Sequence, residues 1–108
     1  MYKCYGIPKA IQSTGVLDEM LQRAAQARKI RRFCATNDLR LIGNNVLTSD
    51  SSHDLLTAYN LWEMGWIDCV VISSREVYLV EMDNRSKEML SILAEKNALI
   101  VLDECKFV

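Results

Sequence analysis

Ser73, Ser74 and Arg75 directly follow the apolar run Ile67 to Ile72. That run reads as a central strand of a parallel sheet, buried on both faces. The three polar residues then sit just past its carboxyl end, where open α/β sheets gather their ligands. Two hydroxyls and a guanidinium there can hold an anion such as phosphate, with the next helix's amino terminus helping. The competing reading is a polar turn, favoured because no glycine-rich loop is present to cradle a phosphate closely. Arg28, Lys29, Arg31 and Arg32 make a second group. Arg28, Arg31 and Arg32 share a helix face at i, i+3 and i+4 and can serve as a DNA-phosphate patch or as a solvated helix face. His53, beside Asp54 and near Asp50, is the one imidazole and has the pKa for acid–base work. A first-turn helical histidine among Ser and Asp is expected to be a surface residue, and no Ser/His/Asp assembly follows from the order of the chain.

Cys4, Cys34, Cys69 and Cys105 stand singly, with no CxxC pair. With one histidine in the chain, zinc ligation is not expected, and neither is any other metal or cofactor. The cysteines read as reduced, structural residues that behave as small hydrophobes, which suits a reducing cytoplasm. Tyr59, Trp62, Met64 and Trp66 gather around one helix-to-strand turn. They fit a core, or Trp66, next to Gly65, anchors a partner. Tyr78 and Leu79 add apolar surface beyond the central strand, so Trp66, Tyr78 and Leu79 are the candidate protein interface.

These groups need a scaffold. The chain has 108 residues, 50% hydrophobic and 25% charged, with one Pro and four Gly. That is the composition of a single globular domain spanning 1–108. The net charge of −1 does not call for a nucleic-acid partner. The distribution is uneven, with eight Lys/Arg against five Asp/Glu in residues 1–54 and five against nine in 55–108, so the first half can attract an anionic partner weakly. Met1 to Tyr5 lacks the apolar stretch of a signal peptide. No apolar run approaches the ~20 residues of a membrane span. A soluble, cytoplasmic protein without membrane contact is expected.

The aromatic alternation of residues 2–7 predicts a first strand, ended by Gly6 and Pro8. Ser13, Thr14 and Gly15 suit a turn or helix cap. Residues 17–37 have helical spacing, with Leu17, Leu21, Ala24, Ala27 or Arg28, and Phe33 or Cys34 expected inward. Asp18 and Glu19 in its first turn and Arg31 and Arg32 in its last would complement the helix dipole, and Asn37-Asp38 would close it. Leu39 to Ile42 reads as a second strand broken by Gly43. Residues 53–64 form a helix with Leu55, Leu56, Tyr59 and Trp62 on one face. After the central strand, a helix over 82–97 turns Met89, Leu90 and Leu93 inward, and Ala98 to Leu102 is a last strand. This β-α-β-α-β-α-β order predicts a three-layer α/β/α domain with a mostly parallel sheet of four to five strands.

Two stretches carry a family resemblance. From Gln26 through Ile30, Phe33 and Asn37 to Ile42, the chain has a helical Gln, an aromatic seven residues later, an Asn-containing turn and a strand. From Trp66 to Val71 it has an "iDvvvv"-like strand built on Asp68. Together with the spacing on to Leu99 to Asp103, these resemble the catalytic domain of serine recombinases, the resolvase/invertase family, over nearly the whole chain. The resemblance implies a resolvase-like fold with sheet order 2-1-3-4 and a bacterial or mobile-element setting.

It does not imply the activity. The family cleaves DNA with a Ser in a Y-x-R-x-S pattern after the first strand. Here Tyr5 matches, Ile7 replaces the Arg and Lys9 replaces the nucleophile. Ser13 or Thr14 can substitute only if that loop is re-routed. The family's Arg-Pro before the second helix corresponds to Ser52-His53. Its D-R-L-x-R signature corresponds to Glu76 to Val80, or, with a one-residue slip, leaves only Arg75. Gln26 and Asp68 remain of the polar cluster, with Glu76 a charge-conserving match. Phosphoryl transfer needs guanidinium groups where charge develops, so no catalysis is expected. The expected role is protein–protein association, including self-association. The alternative is a DNA-associated accessory protein of a recombination or mobile-element system, using the basic helix face.

Overall fold

A computed structural model of the chain describes residues 2–8, 15–44, 51–73 and 84–102. Within them the elements are β1 (Lys3–Gly6), α1 (Val16–Thr36), β2 (Arg40–Asn44), α2 (Ser51–Glu63), β3 (Cys69–Ile72), α3 (Asn84–Glu95) and β4 (Leu99–Val101). The strands pair in parallel in the order β2-β1-β3-β4. The expected alternation of strands and helices therefore holds, and the sheet has four strands among the described residues.

All four residues of β3 are buried, as its unbroken apolar run predicts. Their alternation divides the core in two. Val70 and Ile72 join Ile7, Leu55 and Ala58, and Met89, Leu90 and Leu93 of α3. Cys69 and Val71 face the other way, onto Cys4 and onto Ile30 and Cys34 of α1. The sheet thus lies between α1 on one face and the α2–α3 pair on the other. The connectivity explains this division. The chain steps from β1 to β2 in one direction, then crosses back over β1 to reach β3. With right-handed crossovers, reversing direction moves the connecting helix to the opposite face.

The rotation of α1 differs from the expectation. Leu17 and Leu21, predicted inward, are 72% and 61% exposed. The buried stripe is Arg23, Ala27, Ile30 and Cys34. At 100° per residue Leu21 lies directly opposite Ile30, so once Ile30 and Cys34 pack on Cys4, Cys69 and Val71, Leu21 must point outward. Arg31 and Arg32 also miss the final turn, which holds no basic residue. The helix does close at Asn37 as expected. The Asn37 backbone N–H and Nδ2 both donate to the Phe33 carbonyl, at 3.0 and 2.9 Å, and Asp38 takes a left-handed φ of 56°.

Gly43 does not end β2. The strand continues to Asn44, with a register shift opposite Cys4 and Tyr5. The glycine lets the Tyr5 ring cross the strand, because a Cβ at Gly43 would meet Tyr5 Cε2 at 2.5 Å. Gly43→Ala is therefore expected to destabilise by about 1–3 kcal/mol through overpacking. In the Tyr5→Ala background most of that cost should vanish. A double-mutant cycle by urea unfolding measures this; equal costs in both backgrounds would refute the ring contact.

On the other face, Leu55 and Ala58 are buried, while Leu56, Tyr59 and Trp62 are half-buried against the same cluster. The Tyr59 and Trp62 rings lie 5.6 Å apart, tilted by 53°. Gly65, at φ 79°, makes the left-handed turn into β3. Met89, Leu90 and Leu93 are buried as expected.

Candidate functional site

The helices that follow β1 and β3 lie on opposite faces of the sheet, so the carboxyl ends of these neighbouring strands mark the topological switch point. Ile7 and Pro8 continue from β1 and are buried there, and the Ile7 N–H donates to the Val71 carbonyl at 3.0 Å. Ser73 follows β3 and is 5% exposed. By alternation from Val71 it lies on the α1 side. Ser74 and Arg75, with Lys9, Ser13, Thr14 and Glu76, lie outside the described residues.

The sequence reading missed Arg23, which is 4% exposed. It sits seven residues before Ile30 on the inner stripe of α1, roughly 10 Å closer to the carboxyl edge of the sheet. A search for apolar periodicity skips a charged residue. The available signal was its i+4, i+7 and i+11 spacing to Ala27, Ile30 and Cys34. Arg23, Ser73 and Ser86 are the buried polar side chains among the described residues.

Of the residues matched to the recombinase polar cluster, Asp68 does not join this end. Asp68 stands at the amino edge, where its Oδ2 accepts the Lys3 backbone N–H at 2.8 Å and its own N–H donates to the Lys3 carbonyl at 2.8 Å. Its role here is to tie the starts of β1 and β3 together. Gln26 is half-buried on α1, beside the inner stripe.

The outer face of α1 is divided lengthwise. Leu17 and Leu21 are exposed, with Met20 beside them. Arg28, Lys29, Arg31 and Arg32 are all exposed further along. Arg28 and Arg32 continue the ridge of Leu17 and Leu21, on the side opposite Ile30. All four basic residues are therefore on solvent, with Arg28 and Arg32 following Leu17 and Leu21, which the sequence reading had placed in the core.

Trp66 is 65% exposed, whereas Trp62 packs on the core. Met64 beside it and Tyr2 at the start of β1 are also exposed. The Lys3–Asp68 ties place Tyr2 and Trp66 along the same amino edge. Tyr78 and Leu79 lie outside the described residues, as does the side chain of His53.

Cys4, Cys34 and Cys69 are buried together beneath α1. Cys4 and Cys69 are register partners on β1 and β3, and their sulfurs lie 2.7 Å apart. The shared hydrogen bond lowers the Cys69 thiol below its ordinary value and raises Cys4 well above it, with burial adding to the rise. Cys34 contacts Cys4 and is pushed up to about 11, chiefly by burial. Cys105 lies outside the described residues.

Between α2 and α3 is an open cleft of about 300 Å³, bordered by Tyr59, Glu63, Arg85, Glu88 and Met89. The Tyr59 hydroxyl is raised in pKa by its hydrogen bond to Glu63. Among the described residues, no group of His, Cys, Asp and Glu is placed to hold a metal ion, and no helix is long and apolar enough to cross a membrane. No protein-family model, curated protein or solved structure matches the chain.

Proposed function

We propose that this chain is a resolvase-like, non-catalytic domain that works by protein–protein association, and that its partner is a second copy of itself. The observation that carries the reading is the apolar patch of Leu17, Met20 and Leu21 on the outer face of α1. The spacing i, i+3, i+4 forms one continuous contact surface on a helix. Charge supports a twofold arrangement. If two α1 helices cross antiparallel near residue 23, Arg28 of each copy faces Asp18 of the other and the helix dipoles oppose favourably. Leu21 then meets Ala25, a small residue that lets the helices approach closely.

The sheet order β2-β1-β3-β4 supports the resolvase-like reading, because it is the order that the family resemblance implies. The non-catalytic reading draws support from Ile7. The position of the family's first catalytic Arg is filled by a fully buried core residue that packs with Leu55 and Ile72. A buried isoleucine has no charge to offer a transferring phosphate. Sedimentation of the whole chain over a range of concentrations tests the association. A strict monomer at the highest concentration would sink it.

The exposure of Arg28, Lys29, Arg31 and Arg32 favours a second reading, a DNA-associated accessory protein. Fluorescence anisotropy of a labelled duplex should then show binding that weakens steeply with salt. Charge reversal at Arg31 and Arg32 should remove most of it. Absence of binding at low salt eliminates this reading and leaves self-association untouched.

A further inference from the structure

We propose that Cys4 and Cys69 are a thiol oxidation site that closes to an intramolecular disulfide across the two central strands. The first argument is register. The two residues are direct partners on adjacent parallel strands. Neighbouring strands run ~4.8 Å apart, inside the ~4.4–6.8 Å Cα separation that a disulfide spans. The second argument is contact. The sulfurs lie 2.7 Å apart, in direct side-chain contact. They need to close by only ~0.7 Å to reach bonding distance. The third is a neighbouring thiol, since Cys34 reaches Cys4 from α1, so the site gathers three of the chain's four cysteines.

The chemistry is a two-electron oxidation by a peroxide. Cys69 is the attacking group, because it is the less buried of the pair and the hydrogen bond from Cys4 favours its thiolate. The thiolate attacks one oxygen of hydrogen peroxide and the O–O bond breaks. The departing hydroxide takes up the proton that Cys69 lost, giving water and a sulfenic acid on Cys69. The Cys4 sulfur then attacks the Cys69 sulfur. The S–O bond breaks, the S–S bond forms, and the hydroxyl leaves as water with the Cys4 proton. Two thiols lose two electrons, and one peroxide becomes two waters. Neither step uses the outer face of α1, so this inference is independent of the self-association proposed above.

The experiment treats the folded, full-length chain with hydrogen peroxide, alkylates residual thiols under denaturing conditions and maps the peptides by mass spectrometry. Expected is a loss of about 2 Da and two alkylatable thiols. The Cys4–Cys69 linked peptide should exceed every other pairing at least ten-fold, with Cys34 and Cys105 alkylated. In Cys34→Ala the same link should form, and in both proteins oxidation should raise the melting temperature by a few degrees, reversibly with a reductant. In chain unfolded by urea before oxidation, the preference for this pairing should disappear. Persistence of Cys4 and Cys69 as free thiols, oxidation past the disulfide, or a dominant link through Cys34 or Cys105 would overturn the proposal.

Discussion

Ile30→Ala is expected to cost about 2–5 kcal/mol of folding free energy, whereas Leu21→Ala should change it by no more than about 0.5 kcal/mol. Both residues are large aliphatics on the same helix, and the apolar spacing of the sequence would put Leu21 in the core. The difference comes from rotation. Ile30 is fully buried and packs with Cys4, Cys34, Cys69 and Val71. Truncating it removes apolar contacts and leaves a cavity that the sheet cannot collapse to fill. Leu21 makes no such contribution to the monomer, since 61% of it already faces solvent. Urea unfolding of both variants, at a concentration where the chain is monomeric, decides the point. Equal costs would mean that α1 is turned as the apolar spacing first suggested and that Leu17 and Leu21 are core residues.

That rotation also marks the limit of what was legible in the sequence. β3 was readable because a run buried on both faces leaves a continuous apolar signature, and α3 because Met89, Leu90 and Leu93 keep helical spacing. α1 was harder, because it carries two stripes. Leu17 and Leu21 make one, and the other runs from Arg23 through Ala27 and Ile30 to Cys34. The inner stripe opens with a charged residue, so a reading by hydropathy selects the wrong one. Gly43 misled in a similar way. A glycine in a strand suggests a break, but here it provides room for the Tyr5 ring, a contact between residues far apart in sequence. The Cys4–Cys69 pairing depended on strand register, which spacing along the chain does not specify. At the switch point, burial of Ile7 comes from its packing with Leu55 and Ile72, which the strand pattern of residues 2–7 does not specify.

Leu21→Glu is expected to weaken self-association by about thirty-fold or more while leaving the fold intact. The substitution removes a Leu side chain from the proposed contact and sets a charge that must lose water against Ala25 of the second copy, together worth about 2 kcal/mol or more. In the monomer the same carboxylate lies in water. Arg28→Glu should also weaken association, by a smaller factor, through loss of its contact with Asp18 of the second copy. Restoring charge complementarity with Asp18→Lys in the Arg28→Glu background should recover part of the loss. Circular dichroism and urea midpoints close to those of the original chain would establish that the variants still fold.

The most direct measurement is sedimentation equilibrium of the unmodified chain beside Leu21→Glu, from low to high micromolar concentration. Expected is a monomer–dimer equilibrium for the unmodified chain, and a monomer throughout for the variant. Two monomers, or two dimers of equal affinity, would contradict association through the outer face of α1.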